Sequence, residues 1–337
     1  MCHLIYTDTF YMKRKWIRWV SWILLTPIIL FVILMVLLYV PPVQNLLRRE
    51  VTAYASKATG MQIQVERIDL RFPLNLLVRG VEVIQQPDTL LSLESLNVRV
   101  QAWPLIKGKV EVDEVTLSRV AVNSADLMEG MNIKGVLGRF FLQSHGVDLS
   151  NELAVINQVE LSDTHVQLLM NDTTTTPKDT TASAPINWKV ALHQLKLKNV
   201  SFSMQLPADS MRMAAHIGEA AIDDAQADLK NQYYDLKKFL LSGTSVSYDT
   251  GTAQPAEGFD ASHIAVRDIR IALDSLLYKG RDMNAVIREF TMNERSGLSV
   301  TSLTGRAYSN DSVICVPGLK LNTPHSEIDL SAHTYWE

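Results

Sequence analysis

Ile63-Gln64-Val65-Glu66-Arg67-Ile68-Asp69-Leu70 alternates apolar and polar side chains twice, with one extra residue between the two alternations. An unbroken strand would turn its second half to the opposite face. A bulge or tight bend at the extra residue instead keeps Ile63, Val65, Ile68 and Leu70 on one side. The stretch therefore reads as a bent strand with one wet face and one apolar face.

The same spacing recurs at Leu91, Leu93, Leu96 and Val98, at Val115, Leu117, Val120 and Val122, at Leu195, Leu197, Val200 and Phe202, and at Ile264, Val266, Ile269 and Ile271. Two copies are weaker: Val159, Leu161, Thr164 and Val166 has a polar third position, and Ala220, Ile222, Ala225 and Ala227 is built mostly of small residues. Copies start about 24 to 44 residues apart, which excludes a solenoid of fixed repeat. The chain after residue 60 is mainly β, as one architecture. A sheet with an apolar face needs a second sheet, closure into a barrel or sandwich, or some other filling. An all-β sandwich core and a curled sheet with an apolar groove both satisfy that need. The stretches 124–141 and 225–241 are compatible with further helix, and 171–185 and 249–258 read as loops.

Upstream, Val43, Leu46, Leu47, Val51, Tyr54 and Ala58 follow a helical spacing, and Gly60 suits the C-cap, so residues 41–60 read as a short amphipathic helix. Residues 19–40 form an uncharged run of 22, about 33 Å as a helix and long enough to cross a bilayer core. Lys13, Arg14, Lys15 and Arg18 precede it, which leaves residues 1–18 in the cytoplasm and sends the rest across. A cleaved signal would have a shorter apolar region and a small-x-small site, which Leu38-Tyr39-Val40-Pro41-Pro42 lacks. The expectation is an uncleaved single-pass anchor.

Composition, 47% hydrophobic and 20% charged with 15 Gly and 12 Pro, excludes collagen-like and wholly disordered chains. Beyond residue 40 there are 28 Lys/Arg against 35 Asp/Glu, a poor balance for binding nucleic acid. Cys315 is the only cysteine there, so no internal disulfide forms. No nucleophile elbow, metalloprotease, phosphate-loop or dinucleotide motif occurs, and no histidines after the anchor share metal-ligand spacing. No catalytic, metal or cofactor site is expected.

The order of these features resembles the N-terminal module of the AsmA-like family, especially its TamB-type translocation and assembly proteins. The resemblance is carried by the anchor, Pro41-Pro42-Val43-Gln44-Asn45-Leu46-Leu47 and the stretch from Gly60 to Val122, notably Gly80-Val81-Glu82-Val83, Leu90-Leu91-Ser92-Leu93 and Trp103-Pro104-Leu105-Ile106-Lys107-Gly108-Lys109-Val110. It implies a periplasmic, taco-like β-sheet over 61–337, anchored in the inner membrane, with a groove for phospholipid acyl chains and a role in outer-membrane biogenesis. It also implies, as an alternative, a scaffold for assembling outer-membrane proteins alongside an Omp85-type partner. The family's C-terminal domain, which meets that partner, has no counterpart here, and the chain stops within strand-like sequence, as a truncated gene product would. The recurring apolar positions are the groove-lining candidates.

Overall fold

The computed structural model describes residues 40–335 except 73, 102, 105–110, 125–126, 128–129, 149–150 and 172–186. The expected anchor at 19–40 and most of the expected loop at 171–185 lie outside the described residues. Among the described residues, no helix is long and apolar enough to cross a membrane.

Helix α1 (Pro41–Thr59) begins with proline, whose missing N–H costs nothing in a first turn. It ends at Gly60, where a left-handed φ of 71° lets the glycine N–H donate to the Ser56 carbonyl at 3.0 Å. All other large elements are strands of one sheet. The first four are β1 (Gln62–Arg71), β2 (Asn75–Gln85), β3 (Asp88–Val100) and β4 (Val112–Asn123), 10 to 13 residues each. Six longer strands follow: β5 (Met131–Asp148), β6 (Leu153–Met170), β7 (Lys189–Leu206), β8 (Met211–Asp228), β9 (Tyr233–Asp249) and β10 (His263–Lys279). The last are β11 (Asp282–Glu294), the short β12 (Ser299–Val300), β13 (Ser302–Ser309), β14 (Val313–Asn322) and β15 (Glu327–Tyr335).

Neighbours in sequence are neighbours in the sheet from β1 to β15, with β12 set aside against β11. Every pairing is antiparallel except β6 with β7, which is parallel. The sheet curls without closing, and β1 and β15 are its two edges. The sandwich alternative is therefore not what forms: there is one sheet, and no large side chain in it is completely shielded from solvent among the described residues. Among the described residues, no second sheet closes over any of the apolar rows.

Two further expectations are corrected. The stretch 124–141 is not helix; most of it is β5, which begins after Ser124 Oγ accepts the Ile133 N–H at 2.8 Å. The stretch 225–241 is the end of β8 and the start of β9. Between them Asp228 accepts hydrogen bonds from the Asn231 backbone and side-chain N–H groups, an Asx turn that reverses the chain. The excursion at 249–258 is a true loop, held by Asp260, which accepts N–H groups from Ala256 at 3.0 Å and Ser262 at 2.9 Å.

Candidate functional site

Pairing places the recurring apolar residues in four rows that cross ten strands. Ile63, Val83, Leu91, Val122, Gly135, Val166, Phe202, Ala215, Val246 and Val266 form the first, each paired with the next. The second runs through Val65, Val81, Leu93, Val120, Leu137, Thr164, Val200 and Ile217, and resumes at Thr244 with Ile269. The third is Ile68, Val78, Leu96, Leu117, Phe140, Leu161, Leu197, Ala220, Leu241 and Ile271. The fourth is Leu70, Leu76, Val98, Val115, Leu142, Val159, Leu195, Ile222, Phe239 and Leu273. All the groove-lining candidates fall on these rows except Ile264, which pairs with Tyr248 one row further out.

The structure also supplies copies that the sequence reading missed: Leu76, Val78, Val81 and Val83 in β2, Gly135, Leu137, Phe140 and Leu142 in β5, and Phe239, Leu241, Thr244 and Val246 in β9. In β8 the copy aligned with the others is Ala215, Ile217, Ala220 and Ile222, so the expected one starting at Ala220 is out of phase.

Between the second and third rows lies the extra residue of each strand. Glu66, Gly80, Glu94, Arg119, Gly138, Asp163, Asn199, Gly218 and Gly243 face one another across nine strands and leave the pairing ladder unmade at each step. This line is a crease. Gly80, Arg119, Asp163, Asn199 and Gly243 adopt left-handed φ between 46° and 59°, which folds the strand while keeping both halves on one face. In β10 the crease steps over by one row, to Asp268 between Val266 and Ile269, and register shifts on both sides absorb the step.

Backbones approach so closely along the crease that each contact needs a glycine or a bonded polar pair. A Cβ added at Gly138 would stand 2.7 Å from Asp163 Cβ, and one at Gly218 would stand 2.9 Å from the Gly243 carbonyl oxygen. Where neither partner is glycine, Arg119 Nε pairs with Glu94 Oε2, and Asn199 Nδ2 donates to Asp163 Oδ1 at 2.8 Å across the parallel pair. A second crease crosses β5 to β9, seven residues from the first in β5 and six in each of the other strands, through His145, Asn157, His193, Asp224 and Lys237. It too is polar: His145 Nδ1 and Asn157 Nδ2 lie 2.7 Å apart, and His193 Nδ1 and Asp224 Oδ1 3.0 Å apart. The copy at Ala220 brackets this second crease, which explains both its spacing and its displaced phase.

Exposure grades across the rows. Beside the first crease Leu93 is 8% exposed and Ile269 9%, and Thr164 and Thr244 are also buried. One row further out Val122 is 39% exposed and Phe202 41%. The remaining candidates are half-buried. The apolar face thus has a shielded floor along the crease and an open rim. The polar residues of the crease, Arg119, Asp163, Asn199 and Asp268, are exposed to solvent.

Helix α1 covers the outer edge of β1 with its polar face. Gln44 Nε2 donates to the Leu70 carbonyl and Arg48 Nη1 to the Val65 carbonyl, both at 3.0 Å, and Ser56 Oγ accepts the Ile63 N–H at 3.1 Å. Leu46, Val51 and Tyr54 of the apolar stripe that suggested the helix are therefore exposed on the side away from the sheet.

No grouping of three or more metal-ligating side chains occurs among the described residues. Three of the resolved titration shifts, at Asp228, Asp260 and Glu294, belong to local turns. Asp260 is held down at about 2 by the Ala256 and Ser262 N–H groups and by His263, and Glu294 is lowered by hydrogen bonds from Ser296 and by the Ala265 N–H. No family model and no curated protein matches the chain.

Proposed function

We propose that this protein is an inner-membrane-anchored, non-enzymatic periplasmic protein of the AsmA-like kind that holds or conducts phospholipid acyl chains, in support of outer-membrane biogenesis. The observation that carries this reading is the set of four apolar rows, three of them continuous in register from β1 to β10 and the second interrupted between β8 and β9, with no second sheet over them among the described residues. Exposing a sixteen-carbon chain to water costs on the order of 12 kcal/mol at about 0.8 kcal/mol per CH₂. A shielded floor flanked by an open rim removes most of that cost while the headgroup stays wet. Nine steps between the ten strands that carry the rows, at roughly 4.8 Å each, give a trough of about 43 Å along the sheet.

The test is native mass spectrometry with lipid extraction on the full-length chain purified from membranes. Bound phospholipid is expected, and Val120→Asp with Phe202→Asp should remove it while circular dichroism stays that of a β-sheet. A lipid-free wild type, after challenge with phospholipid, would sink the proposal.

A second reading, a scaffold that templates strands of outer-membrane proteins, is favoured by β15, whose nine residues are all exposed and whose outer edge pairs with no described strand. Photocrosslinks from β15 to outer-membrane proteins, with no lipid bound, would support it. An Omp85-type partner belongs to that reading.

A further inference from the structure

We infer that the outward stripe of helix α1 lies on the surface of the membrane in which residues 19–40 are anchored, at the depth of the lipid headgroups. The inference rests on the anchoring part of the proposed function. Leu46 is 59% exposed and Tyr54 77%, and Val51 beside them is also exposed. These side chains have no sheet to pack on, because Gln44, Arg48 and Ser56 fix the opposite face of the helix to the edge of β1. The rotation of the helix is therefore set, and its apolar stripe points outward.

What covers the stripe follows from the chain that precedes it. The 22-residue uncharged run ends at Val40 and the helix begins at Pro41, so no linker separates them. A helix starting where a membrane span ends begins at the bilayer surface. Its charge fits that surface: with Arg48 turned to β1, α1 still carries Arg49 and Lys57 against Glu50 alone, whereas residues 60–337 carry 25 Lys/Arg against 34 Asp/Glu. Cations favour anionic headgroups, long basic side chains snorkel to them, and tyrosine prefers the interface. Glu50 shares the outward face with Leu46 and Tyr54, one helical turn from each, and sets the depth. A carboxylate there is tolerable among headgroups and costly in hydrocarbon.

The consequence concerns direction. With α1 flat on the membrane and bonded to β1, the crease starts at the membrane surface and leads away from it strand by strand. Lipid leaving the bilayer meets β1 first.

The test uses the full chain in phospholipid nanodiscs containing phosphatidylglycerol, with Cys2 and Cys315 changed to serine. Single spin labels are placed at Leu46→Cys, Val51→Cys and Tyr54→Cys, with Leu30→Cys as the span reference and Ile328→Cys on β15 as the aqueous one. Collision with oxygen relative to a nickel chelate should be several-fold higher at 46, 51 and 54 than at 328, and lower than at 30. Glu50→Gln should raise the ratio at 54. If 30 reports hydrocarbon while 46, 51 and 54 match 328, the inference is overturned and the anchor stands. Nickel shielding at 46, 51 and 54 without oxygen gain, with dipolar coupling between labelled chains, would assign the stripe to a second copy and overturn it as well. An aqueous signal at 30 removes the anchor and the inference together. Lipid in the groove is read separately, by extraction, so the two failures remain distinguishable.

Discussion

The sheet has two edges, and they are built in opposite ways. At β1 a helix supplies side-chain partners for the Ile63 N–H and the Val65 and Leu70 carbonyls, groups that would otherwise face outward as a template for another strand. At β15 every residue is exposed, Ile328, Leu330 and Tyr335 included. Among the described residues, one edge of the sheet is covered and the other is not. The crease is regular from β1 to β9, steps by one row in β10, and is followed by a separate register shift at Val316 to Leu319 in β14.

The largest expected effect comes from abolishing that difference. Gln44→Ala, Arg48→Ala and Ser56→Ala together remove three hydrogen bonds, one of them charged, for a loss on the order of 3–5 kcal/mol in the docking of α1 on β1. Hydrogen exchange of the Ile63 amide should accelerate strongly, and the freed edge should associate, as sedimentation would show. An unchanged exchange rate at Ile63 would mean that the helix does not close this edge.

A lesion midway between the edges asks whether the sheet is one cooperative unit. Gly218→Ala forces a Cβ against the Gly243 carbonyl, and overpacking of this kind costs about 1–3 kcal/mol. Urea unfolding followed by labels on β2 and β14 should shift to lower midpoints for both labels together. A shift confined to one label would divide the molecule at the crease. Asn199→Val should act in the same direction by about 1–2 kcal/mol, because a β-branched side chain is poorly accommodated at a φ of 52°.

Acid distinguishes the two ends. The Asp260 and Glu294 carboxyls, both on the β15 side of the sheet, are held below their ordinary values by the hydrogen bonds they accept. Groups depressed in the folded state stabilise it above their unfolded pKa near 4, and that contribution is lost as pH falls towards about 2, the folded value of Asp260. Amide protection in the 250–262 loop and at the end of β11 should therefore fall below pH 4 before that of β1 to β3. Asp260→Asn should flatten the dependence in the loop.

The smallest effect is expected at the open edge itself. Ile328→Lys should change stability by less than about 0.5 kcal/mol, since the residue is half exposed and packs against little. It should nevertheless suppress any association through β15, as edge lysines do. Association that persists in this variant would have to use another surface.

Most of the fold was legible because its information is local. The doubled alternation in Ile63 to Leu70 named a bent strand with one apolar face, and Gly60 named the end of the helix. The misses have physical reasons. In β5, Gly135 and Gly138 interrupt the apolar pattern, the second because the neighbouring strand comes too close to admit a Cβ, so the strand lost its alternation in sequence. At the end of β8 and the start of β9, alanine and lysine are good helix formers, and only the Asx turn at Asp228 breaks the run. The crease had a signal that was overlooked: the residue four places into a copy is Gly80, Arg119, Asp163, Asn199 or Gly243, a set weighted towards glycine, asparagine and aspartate, which tolerate left-handed backbone.

By itself the sequence determined the two-residue period, the extra residue in each strand and the side that is greasy, because these depend on a handful of adjacent residues. Only the tertiary structure decided that the extra residues of nine strands fall into one line, and that the helix turns its polar face inward. Register is a property of pairs of strands, and a slip of one residue would send each apolar row to the wrong face. Which side of an amphipathic helix meets the sheet depended on what β1 lacked, and an unpaired edge lacks hydrogen-bond partners rather than apolar cover.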